Sequence, residues 1–104
     1  MKTIAIKSQG GTYEDCVLEL NNYASNGNTA ITIVSPTEGP IYTLTVNIEP
    51  LDKNLAAIDT NNYPFAKYLM YYYGLGEQVD FAHSEYCIYP VFKLDFKEIN
   101  KYTA

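Results

Sequence analysis

The sequence predicts an α+β fold: an antiparallel sheet of four to five strands in the order ββββ-α-β, with one helix packed on the sheet's apolar face. Three observations lead there. Residues 2–48 alternate apolar and polar with a period of two, punctuated by turns rich in Gly, Asn and Pro. Between Pro64 and Tyr73 the apolar spacing changes to that of a helix. A second strand-like run, YCIYPVFKLDF, then closes the pattern over residues 86–96.

Residues 2–8 place Ile4 and Ile6 on one face, which reads as a half-buried strand. Gln9-Gly10-Gly11-Thr12 follows as a tight turn, since glycine supplies the positive φ of a hairpin. Residues 13–20 return as a second strand, with Cys16, Leu18 and Leu20 inward. Asn26-Gly27 predicts a two-residue turn into a third strand over 29–35, with Ile31 and Ile33 inward. Pro36 to Pro40 breaks the chain, and 41–48 forms a fourth strand with Tyr42, Leu44, Val46 and Ile48 on one face. Residues 49–60 read as an irregular connection. Asn61 or Asn62 is the expected helix N-cap, with Pro64 in the first turn and Gly74 and Gly76 as the stop. The spacing turns Phe65, Leu69, Tyr72 and Tyr73 toward the sheet. Residues 77–85 read as a polar loop. In the last strand Tyr86, Ile88, Phe92, Leu94 and Phe96 share a face, and Pro90 marks an edge position, a bulge or a break. The tail, 97–104, is expected to fray from a single domain spanning 1–104.

Composition narrows the function. The chain has 104 residues, a formal net charge of −5, 11 tyrosines, and 7 lysines with no arginine. Arginine is the usual fork for phosphate and guanine, and an acidic chain lacks the attraction behind non-specific nucleic-acid binding, so direct DNA or RNA binding is not expected. An AT-rich genome would explain the same excess of Ile, Asn, Lys and Tyr, but the physical consequences are unchanged. No apolar run approaches the roughly 20 residues of a membrane span, and residues 1–11 have no secretory-type apolar core. Cys16 and Cys87 are too few for a disulfide framework and suit a reducing cytoplasm, so a cytoplasmic protein with no membrane partner is expected.

Residues able to carry chemistry are sparse. His83 is the single histidine, and neither cysteine has a partner at ligand spacing, so no metal and no cofactor is expected. His83 and Cys87 stand four apart in an extended stretch and do not meet as base and nucleophile. Gly74-Leu75-Gly76 follows a helix instead of opening one, which suits a stop and not a phosphate loop. Glu14 and Asp15 point to opposite faces of a strand. An enzyme is not expected.

Two groups remain as candidate binding residues. Asp59-Thr60-Asn61-Asn62-Tyr63-Pro64 is the densest polar cluster, either a recognition loop through Asp59, Asn61 and Asn62 or a set of side chains that cap the helix and close the turn before it. On the helix, Tyr68 and Tyr71 fall away from the buried stripe. They either form a partner surface or roof the sheet's edge with their hydroxyls in water.

Several local patterns recur together: Tyr23 before the turn Asn26 to Asn28, the Leu-Thr-Val-Asn strand at 44–47, and Asp59 to Asn62 before the helix. The Gly-Leu-Gly stop at 74–76 and the Cys-Ile-Tyr-Pro run at 87–90 complete the set. Over roughly residues 20–96 the chain resembles a family of small bacterial proteins without an assigned activity, with Glu85-Tyr86 departing from an expected Ser-Gly. Such proteins are encoded on phages, plasmids and conjugative elements of low-GC bacteria. The resemblance implies an accessory protein that binds and inhibits a host protein, as anti-CRISPR and other anti-defence proteins do. The expected partner is then a host protein, for instance a nucleic-acid-binding effector such as a CRISPR nuclease. Two other readings stand beside it: a small-ligand binder that sequesters a nucleotide signal, and a structural domain that self-associates as a homodimer.

Overall fold

The computed structural model of the chain describes residues 1–8 and 11–104. Gln9 and Gly10, half of the expected first turn, lie outside them. The fold is α+β and antiparallel, as the order of apolar periods predicts, and its strands are divided between two sheets. β1 (Ile4–Ser8), β2 (Gly11–Asn22), β3 (Thr29–Ser35) and β4 (Gly39–Thr43) form the first sheet in sequential order. Their alternation puts Ile4, Ile6, Cys16, Leu18, Ile31 and Ile33 into one core. The β2–β3 connection is longer than the Asn-Gly signal implies. Pairing continues to a Tyr23 N–H bond to the Asn28 carbonyl, and the Gly27 N–H then closes the loop onto the Tyr23 carbonyl.

The expected fourth strand is divided at Leu44. Its N–H donates to Ile31 of the first sheet, and its carbonyl accepts from Asp59 of the second. The four residues expected on one face are shared out by this change of sheet: Tyr42 and Leu44 pack on the main core and Val46 and Ile48 on a smaller one, and because all four are apolar the break leaves no mark in the sequence pattern. β5 (Thr45–Val46), β6 (Leu55–Ile58), β7 (Gly76–Ser84) and β8 (Cys87–Leu94) make the second sheet in the order β5-β6-β8-β7. β6 lies inside the stretch read as irregular. Ala56 and Ile58 face the main core while Ala57 faces a smaller one on the other side, so the strand reads as a continuous apolar run instead of an alternation.

β7 replaces the expected polar loop. A register shift between Gln78 and Asp80 inserts Val79 as a bulge, and Ala82 is the strand's one buried residue, so neither face shows an apolar repeat. Pro90 stands in an interior strand, contrary to the edge reading. The β6 ladder stops at Val91, beside it, and no rung of that ladder needs the N–H that proline lacks. Tyr86 and Ile88 lie beyond the core at the hairpin end and are exposed, whereas Phe92 and Leu94 are buried. Gly76 has a close-approach role as well as following the helix: a Cβ there would sit 2.5 Å from the Lys93 carbonyl oxygen.

The helix α1 (Ala66–Tyr72) is short, and its N-cap is Phe65 with no side-chain cap, not Asn61 or Asn62. Gly74, at φ 67°, ends it in the left-handed conformation that glycine adopts at low strain, and the Leu75 N–H returns to the Met70 carbonyl. The tail does not fray. α2 (Phe96–Ile99), capped by Asp95, runs into a 3-10 turn (Asn100–Tyr102). Ile99 and Tyr102 are buried in the main core, the Lys2 N–H donates to the Lys101 carbonyl, and Thr103 bridges Leu18. No helix among the described residues is long and apolar enough to cross a membrane.

Candidate functional site

A helix of seven residues can hide only one stripe, and here that stripe is Ala66, Leu69 and Met70. Leu69 faces inward as its spacing predicts. Tyr72 does not: Ala66 and Met70 rotate the buried centre away from it. The outer surface of α1 therefore carries Tyr68 (75% exposed), Tyr71 (48%) and Tyr72 (82%). Tyr71 is a seated residue more than a free one. Its ring packs on Phe92 with centroids 5.2 Å apart, and its hydroxyl accepts the Gln78 N–H at 3.2 Å.

Tyr73 fastens the helix to the edge of the first sheet. In an antiparallel ladder every second residue turns its backbone groups away from the neighbouring strand. Ala5 of β1 is such a residue, and the Tyr73 hydroxyl serves both of its groups, accepting the N–H at 3.0 Å and lying 3.2 Å from the carbonyl as donor. Tyr73→Phe is expected to lower stability by about 1 kcal/mol, the net worth of such bonds, and to speed hydrogen exchange at the Ala5 amide. An unchanged exchange rate would show that the hydroxyl does not protect this edge.

Beside this contact, between β1 and α1, lies an open cleft of about 560 Å³. Tyr68, Leu69 and Tyr72 line its helical side, and Ala5 and Lys7 its strand side. Lys7 and Tyr72 are the members that sequence reasoning missed. The helical spacing puts Tyr72 in the core, and Lys7 gains meaning only once β1 is known to be an edge beside the helix.

The polar cluster behaves differently. Asp59 is buried, and its carboxylate accepts the Asn62 backbone N–H at 3.1 Å and the Asn62 side-chain amide at 2.8 Å. Both oxygens thus close the turn that precedes the helix, the Asx geometry expected of such a sequence. Asn61 and Asn62 are exposed next to that turn. The structure joins Asp59 to Asn62, and Tyr68 to Tyr71 as neighbours one turn apart on α1.

No catalytic pair forms from His83 and Cys87. In the β7–β8 hairpin His83 is opposite Ile88 and Ser84 is opposite Cys87, so the imidazole and thiol leave opposite faces of the sheet. Among the described residues no group of three His, Cys, Asp or Glu side chains could hold a metal ion. Three buried acids are pushed the same way. Burial, then Asp15, raises the Cys16 thiol; contact with the Cys87 side chain, then burial, raises the Tyr89 phenol; burial, then Glu98, raises the Tyr102 phenol. Each binds its proton more tightly in the folded chain, so its contribution is complete below the ordinary thiol and phenol ranges. That contribution is lost as pH rises through them, from about 8.5 to above 10. Denaturant titrations between pH 7 and 11 should show stability falling over that interval, and a rise would contradict the assignment.

No protein-family model, curated protein or solved structure matches the chain.

Proposed function

We propose that this chain is a non-catalytic protein-binding domain that inhibits a host protein, in the manner of anti-defence proteins carried by phages and mobile elements. The observation that carries the reading is the exposed tyrosine surface of α1: Tyr68, Tyr71 and Tyr72 project from a helix whose other side is locked into the core. Tyrosine offers a large amphipathic contact area for two side-chain torsions, which is why it is enriched where interfaces carry their binding energy. The acidic balance and absence of arginine favour a protein partner over direct nucleic acid. An acidic inhibitor is also steered toward the basic groove of a nuclease, although −5 is modest for a full mimic of DNA. The resemblance to proteins of mobile elements supplies the setting, and a CRISPR nuclease is the partner class to try first.

Phage plating on a host with active CRISPR interference, with and without this chain expressed, tests the role. Restored plating is expected, together with co-purification of the effector at fixed stoichiometry. The double variant Tyr68→Ala/Tyr72→Ala should lose less than about 0.5 kcal/mol at the exposed Tyr68 and about 0.5–1.5 kcal/mol at Tyr72, whose ring packs edge-on against Tyr73. It should bind more weakly by about 2 kcal/mol or more if the tyrosines are hot spots. Plating that stays suppressed with the wild-type chain, across hosts with different effectors, would overturn the inhibitory role.

A further inference from the structure

We infer that the cleft between β1 and α1 is a docking site for an extended, acidic segment of a partner protein that carries an aromatic or branched apolar side chain; this rests on the protein-binding reading above. Backbone, wall and charge all point to that occupant. β1 is the edge of the first sheet, and its outward-facing groups at Ala5 are already served by Tyr73. Two residues on, the same alternation turns the Lys7 N–H and carbonyl outward at the cleft. An added strand pairs with such groups, and the Tyr73 contact limits the added pairing to a short stretch at Lys7. Tyr68 and Tyr72, four residues apart on α1, stand over Leu69 as an aromatic wall at side-chain distance from that edge. Among the described residues Lys7 is the one charged residue lining the cleft, so a chain of net charge −5 presents a cation here and no carboxylate of those residues. Charge complementarity therefore selects an acidic segment. It disfavours a basic one, and it disfavours a nucleotide, whose phosphates would have a single lysine and no arginine to hold them.

The test uses the full chain and a fluorescein-labelled pentapeptide, fluoresceinyl-Val-Asp-Phe-Asp-Val-amide, followed by fluorescence polarisation. A lysine-for-aspartate version and a version N-methylated at the central residue serve as controls. Saturable, salt-sensitive binding of the acidic peptide is expected. It should weaken at least tenfold for Lys7→Glu, for Tyr72→Ala and for the lysine peptide, and also on N-methylation, with the Lys7 amide resonance shifting on titration. Equal affinity for acidic and basic peptides, no response to either substitution, or no saturation at millimolar peptide would overturn the assignment. Concentration-dependent dimerisation abolished by Tyr72→Ala would give the cleft to a second copy instead. The peptide assay and the plating assay fail separately. Peptide binding without restored plating keeps the cleft and removes the inhibitory role, and restored plating unaffected by Lys7→Glu and Tyr72→Ala does the reverse.

Discussion

Removing the last seven residues, so that the chain ends at Lys97, is expected to cost about 3–6 kcal/mol, the worth of burying two large side chains. The two are Ile99 and Tyr102, both buried in the main core. The tail also supplies the Lys101 carbonyl to the Lys2 N–H and a bridge from Thr103 to Leu18, so its loss loosens the start of β1 and the stretch of β2 beyond it. Typical domains of this size hold about 5–15 kcal/mol in total, and the truncated chain should be partly unfolded at 37 °C. Thermal and urea denaturation of the truncated and full chains measure the difference. Matching midpoints would mean that residues 98–104 contribute nothing to the folded state, as a frayed tail would.

The tail shows why part of this fold was legible in the sequence and part was not. Strands with one buried face announce themselves: Ile4 and Ile6, Cys16 and Leu18, Ile31 and Ile33 alternate cleanly and fold as they read. Elements that break the alternation rule were hidden for identifiable reasons. β6 is buried on both faces. β7 is bulged and mostly exposed, and the terminal segment spaces its two buried residues, Ile99 and Tyr102, by three in a run of charged neighbours. The change of sheet at Leu44 was invisible because Val46 and Ile48 are as apolar as Tyr42 and Leu44, although they pack on the smaller core instead of the main one.

The candidate site divides along the same line. That tyrosines would face solvent on α1 follows from three consecutive tyrosines on a helix, since 100° per residue cannot hide them all. Which of them faces out depends on Ala66 and Met70, an alanine and a flexible thioether whose burial the spacing of the larger residues had masked. The turn at Asp59 to Asn62 was legible as chemistry, yet both of its readings fit the sequence equally. Only the two bonds from Asn62 to one buried carboxylate decide that Asp59 acts in the turn. The cleft was not legible at all, because Lys7 and Tyr72 lie far apart in the chain and meet only through the Tyr73 contact with the β1 edge.

Phe92→Ala is expected to be the most damaging single substitution among those considered, at about 3–5 kcal/mol. Phe92 is fully buried in the interior strand β8, opposite Ala56 of β6 and Gln78 of β7. Neighbours such as Ala56 are too small to collapse into the space a phenyl ring leaves, so most of the cavity should persist. The Tyr71 ring packs directly on Phe92, which makes the loss reach the surface. Tyr71→Ala alone should cost about 1 kcal/mol, more than its exposure suggests, because it forfeits a ring contact worth about 0.5–1.5 kcal/mol. In a Phe92→Ala background the same change should cost much less, and the double-mutant cycle reads that difference as coupling. Urea denaturation of the four proteins, with Phe92→Leu as a milder reference should Phe92→Ala fail to fold, measures each term. Strict additivity would mean that Tyr71 gains nothing from Phe92 and is held by its bond to Gln78. A coupled pair would mean that the tyrosine surface is fixed in place by the core beneath it, leaving Tyr68 and Tyr72 as the side chains free to meet a partner.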